Sequence, residues 1–71
     1  MSTRYVAPKV EVQYSNTLDN IDGFLVTDGR SARLTLRASL NFRERARGKE
    51  HLLHLMQENP DEGVYMWRVG D

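Results

Sequence analysis

The sequence predicts an α+β domain: a small antiparallel sheet in the element order β-β-β-α-β, covered on one face by a single helix at about residues 44–58. Three observations carry this. Residues 10–14 and 34–42 alternate apolar and polar, the period of strands with one buried face. Leu52, Leu53, Leu55 and Met56 share one side of a helix. Asp28-Gly29 lies between two strand-like runs, where a two-residue hairpin turn needs positive φ.

The first strand is expected at about residues 5–14, with Val6, Val10, Val12 and Tyr14 on one face. Pro8 has no amide donor, which suits an edge or a ragged strand start. The polar run "SNTLDN" is turn material, and a second strand follows over residues 21–27, weakened at its start by Gly23. A two-residue turn at Asp28-Gly29 would pair Thr27 with Arg30 and Phe24 with Arg33. The third strand is placed within residues 31–42. Leu, Ala and Arg there favour a helix, but unbroken alternation argues for a strand, and pattern outranks propensity. The three strands are read as a meander.

Gly48 then punctuates the chain, so the helix starts at about residue 44 or 49. Asn59-Pro60 ends it at 58, because the residue before proline avoids the α region. A last strand is expected over residues 64–69. Tyr5, Tyr14 and Trp67 are expected at the rim of the core. One helix covers one sheet face, so the other face is left open.

Residues 1–71 are read as a single domain, near the lower size limit for a core that stabilises itself. There is no cysteine, which rules out disulfides and thiolate metal sites. No targeting segment or membrane-spanning apolar run is visible, and a cytoplasmic location is expected. No glycine-rich phosphate loop or nucleophile elbow is present. A thin core seldom builds the water-poor cleft that acid–base catalysis needs. The sequence therefore argues against an enzyme, and no cofactor is implied. His51 and His54 stand three apart in "EHLLH", beside Glu50 and Glu58. Two histidines and a carboxylate could hold zinc, but the ordinary reading is a solvated helix face, and no metal site is assigned.

Charge gives the best functional lead. Net charge is zero, yet residues 30–49 carry seven basic residues and one acid, a net plus six. The rest carries three basic and nine acidic residues, a net minus six. Such polarity bears on partners rather than on fold. The candidate partner-binding residues are Phe24, Arg30, Arg33, Arg37, Asn41, Arg43, Arg45, Arg47 and Lys49, spread over the open face and the strand-to-helix join. The bland alternative is that these arginines keep an exposed strand soluble.

The reading that follows is a small non-catalytic regulatory or inhibitory protein that docks on the acidic surface of a protein complex. By size and composition alone it is analogous to the accessory proteins of phages and mobile elements. A nucleic-acid-binding module using the same arginines and Phe24 is the first alternative. A structural subunit that forms a homodimer, through a strand at either edge, is the second.

Overall fold

The structure is a computed structural model that describes residues 9–59 and 63–70. It is an α+β domain with the expected element order: β1 (Lys9–Ser15), β2 (Gly23–Thr27), β3 (Ser31–Arg37), α1 (Phe42–Glu58) and β4 (Gly63–Trp67). The four strands form one mixed sheet, and α1 lies against one face of it.

The expected meander is replaced by the order β1-β3-β2-β4. β3 is inserted between β1 and β2 and runs parallel to β1, with Val10 opposite Ala32 and Tyr14 opposite Leu36. β2 is antiparallel to both β3 and β4. Connection length explains the difference. A direct hairpin takes two to five residues, whereas the connection between β1 and β2 runs from residue 16 to 22. It is long enough to cross the end of β3.

That crossing is pinned by Arg37, the last residue of β3. Its guanidinium pairs with Asp22 (Nε to Oδ1, 3.2 Å) and donates to the carbonyls of Leu18 and Ile21. The Arg37 amide donates to Asp22 O at 2.8 Å, and the Ala38 amide to Ser15 O at 3.0 Å. The other Asp22 carboxylate oxygen accepts the Val69 amide at 2.9 Å. One ion pair thus holds the crossing loop, the end of β3 and the chain beyond β4. Ile21 and Asp22, expected in β2, belong to this loop.

The hairpin turns one residue later than expected. The Asp28 amide bonds to Ser31 O (3.1 Å) around Gly29 and Arg30, and Gly29 carries φ of 91°. Positive φ at the first central residue alone is the type II′ pattern that glycine permits. The Asp28 carboxylate accepts from the amides of Arg30 and Ser31, at 2.9 and 2.8 Å. Thr27 consequently pairs with Ala32 and Phe24 with Thr35, not with Arg30 and Arg33. The shift of two residues preserves which side chains share a face.

β3 stops at Arg37 rather than continuing to residue 42, because Asn41 starts the helix. Its Oδ1 accepts the Glu44 amide (2.8 Å), and Glu44 Oε1 accepts the Asn41 amide (3.0 Å). This capping box satisfies two donors that the first turn leaves open. The helix then passes straight through Gly48, which is buried under Trp67. Asn59 caps the other end, as expected: its amide donates to Leu55 O at 3.1 Å. Asn59 O in turn accepts the Tyr65 hydroxyl at 2.8 Å, tying the helix end to β4.

The core lies between α1 and the sheet. Leu25, Leu34, Leu36 and Leu52 are fully buried, joined by Ala32, Leu40, Met56 and Trp67. Each buried leucine contributes about 1.5–3 kcal/mol relative to exposure. Trp67 is inside the core rather than at its rim. Among the described residues the backbone of α1 packs close to β4, β2 and β3, whereas β1 is reached by a long side chain, that of Arg45 over the Tyr14 ring. Val12 and Tyr14 therefore face the helical side of the sheet yet stay 42% and 44% exposed. Residues 5–8, including Tyr5, Val6 and Pro8, lie outside the described residues.

Candidate partner-binding surface

Strand alternation assigns the face turned away from α1 to Lys9, Glu11 and Gln13 of β1, Phe24 and Val26 of β2, Ser31, Arg33 and Thr35 of β3, and Val64 and Met66 of β4. This face has two unlike halves. On β2 and β4, Val26, Val64 and Met66 are 42%, 59% and 64% exposed, and Phe24 is half-buried. The register places Phe24 beside Met66 and Val26 beside Val64, so the four side chains form one apolar group. On β1 and β3 the face is polar. Glu11 pairs in register with Arg33, and Gln13 Nε2 donates to the buried Thr35 hydroxyl at 3.0 Å. A shallow trough runs between the halves, with Phe24 and Val26 on one side and Lys9, Glu11 and Arg33 on the other.

The nine candidate residues from the sequence do not come together. Phe24 and Arg33 are on the open face as expected, and Arg30 is exposed at the hairpin tip beside it. Arg37 is committed to Asp22 and two backbone carbonyls. The Asn41 side chain is committed to the helix cap. Arg45 donates to Ala38 O at 2.7 Å and lies over the Tyr14 ring, 4.3 Å from its centroid, with its buried Nε lacking a partner among the described residues. It acts as a bridge between α1 and β1. Arg43 and Arg47 are exposed and Lys49 is half-buried, all three on the helical layer. The basic residues are therefore split between two sides of the sheet, and three of the nine candidates, Arg37, Asn41 and Arg45, hold the fold together.

The apolar half was missed because Val26, Val64 and Met66 look like core residues in sequence. Strand parity, read together with the pairing of β2 and β4, is the signal that separates them from Leu25, Tyr65 and Trp67. Phe42, read as part of the third strand, stands at the start of α1 and is 88% exposed.

The backbone donors of Ser31 and Arg30 hold the Asp28 carboxyl below the usual aspartate range. A fixed negative charge thus sits at the hairpin end of the open face. On the helical side, His51 and His54 are exposed, and His54 Nε2 meets Glu58 Oε1 at 3.1 Å. No group of three or more potential metal-ligating side chains is found among the described residues, and no helix among them is long and apolar enough to cross a membrane. No protein-family model, curated protein or solved structure matches the chain.

Proposed function

We propose that this is a small non-catalytic regulatory protein that acts by docking the open face of its sheet on a larger protein partner. The observation that supports this reading is the apolar group Phe24, Val26, Val64 and Met66, exposed on the face that the helix leaves bare. Apolar and aromatic side chains bordered on the β3 and β1 side by polar and charged ones resemble part of a protein interface, an apolar centre beside a charged rim. Arg33 and Lys9 border the group and favour acidic residues on the partner, where they also set orientation and encounter rate. Arg43 and Arg47, on the other side of the sheet, lie outside this surface.

Affinity capture tests the reading. Wild-type protein is compared with Val26→Asp, Met66→Asp and Arg33→Glu, and with Arg43→Glu as a control on the helical side. The reading expects one protein complex to be retained by wild type and Arg43→Glu and lost from the open-face variants. Fluorescence anisotropy with labelled DNA and RNA runs in parallel. Tight binding that weakens steeply with salt, and for all sequences on neutralising Arg33, would replace the reading with a nucleic-acid-binding module.

A further inference from the structure

Among the described residues β1 and β4 are the two edges of the sheet, and they differ in kind. β1 carries Lys9 and Glu11 on one side and the Arg45–Tyr14 stack on the other. Charges of this sort discourage edge-to-edge pairing. β4, with the sequence GVYMW, has no charge and no proline.

Hydrogen-bond alternation shows what β4 offers. The bonds from Asp28 N to Ser31 O and from Arg37 N to Asp22 O fix the even-numbered residues of β2 as those turned to β3. Gly23, Leu25 and Thr27 are then turned to β4, where they pair with Trp67, Tyr65 and Gly63. The amides and carbonyls of Val64 and Met66 consequently point outward along the free edge.

We propose that β4 pairs antiparallel with β4 of a second copy of this chain, about a two-fold axis at Tyr65. Val64 of each copy then exchanges both backbone bonds with Met66 of the other, and the two Tyr65 residues stand opposite each other without bonds. The result is a continuous eight-stranded sheet with both helices on one side. The two apolar groups of the open face meet at its centre and become one surface of doubled area. A second copy fits this edge because the strand is self-complementary: each apolar residue on the open face meets another, and Gly63–Trp67 itself carries no charge. A five-residue edge is about 17 Å long, a short contact that makes the dimer reversible and dependent on concentration. The pairing uses the edge, not the face, and stands whether or not the open face binds a protein partner.

Sedimentation velocity of the full chain from about 1 to 300 micromolar tests it, alongside amide spectra at both ends of that range. The expected result is a monomer–dimer equilibrium, with the Val64 and Met66 amides shifting and gaining exchange protection with concentration while those of Val12 and Tyr14 do not. Met66→Pro removes an outward amide that the monomer does not use, which an edge strand tolerates, and should leave a folded monomer. A monomer at every concentration, or a dimer whose concentration-dependent amides lie on β1 or on α1, would overturn the proposal. The wild-type amide map decides between these results even if the proline variant fails to fold.

Discussion

Gly48 of α1 lies against the indole of Trp67 so closely that a Cβ at Gly48 would stand 2.7 Å from Trp67 Cζ3 and 2.9 Å from Cε3. The same Cβ would be 3.1 Å from Leu36 Cδ2. Glycine in a helix interior costs about 1 kcal/mol relative to alanine, and here it permits the helix to sit down on a buried tryptophan. Gly48→Ala is therefore expected to destabilise the protein, by about 1–2 kcal/mol, because overpacking outweighs the gain in helix propensity. Urea unfolding followed by the emission of the single tryptophan reads this directly. A stabilised Gly48→Ala would mean that α1 does not rest on Trp67.

The Asp22–Arg37 pair makes a second prediction. Each side chain is about a quarter exposed, 25% for Asp22 and 26% for Arg37, so the ion pair alone contributes modestly. Arg37 also satisfies the carbonyls of Leu18 and Ile21. Arg37→Ala should thus cost more than Asp22→Ala, about 2–3 against 1–2 kcal/mol. Arg37→Lys should not restore the loss, because a single ammonium cannot reproduce the planar fork. Equal costs for the two alanine variants would show that the carbonyl contacts contribute little.

Stability and binding should separate along the basic segment. Asn41→Ala removes the helix cap and is expected to cost about 1 kcal/mol while leaving partner capture intact once the protein is folded. Arg33→Glu sets a like charge opposite Glu11 and should cost under about 1 kcal/mol, yet reduce capture of the folded protein. Chemical denaturation and capture on the same four proteins (wild type, Asn41→Ala, Arg33→Glu and Arg43→Glu) check both halves of this expectation.

Asp28 gives a pH dependence of known sign. Its carboxyl is held below its ordinary pKa by the amides of Ser31 and Arg30. The unfolded chain therefore takes up the proton at higher pH than the folded one. The stabilisation is complete above the ordinary aspartate value and is lost as pH falls through the lower, folded value. Asp28→Asn removes this titration. The difference in urea midpoint between wild type and Asp28→Asn should shrink from pH 7 to pH 3. A difference that stays constant would mean that the turn does not depend on the charge.

The element order and the buried leucines were legible because alternation and helical spacing survive any change of topology. Strand order was not. It depends on the crossing loop at residues 16–22, and the pair that holds it, Asp22 and Arg37, is fifteen residues apart with no local signature. The helix start was legible in principle from "NFRE", since Asn41 and Glu44 have the spacing of a capping box. The alternation leading up to Phe42 masked it. Gly48 misled for a different reason: a glycine that serves close packing looks, in sequence, like one that breaks a helix. The candidate surface was legible in part. Phe24 and Arg33 were placed on the open face by strand parity, which a two-residue register shift leaves unchanged. The arginines that turned inward could not be told apart by charge alone, because the acceptors of Arg37 and Arg45 are mostly backbone carbonyls.

Side-by-side capture with wild type, Met66→Asp and Arg43→Glu is the most direct test of the proposed docking face. The account predicts that the same protein complex is held by wild type and Arg43→Glu and released by Met66→Asp, with all three proteins folded. Retention by Met66→Asp together with loss from Arg43→Glu would contradict it, and would place the working surface on the helical side of the sheet.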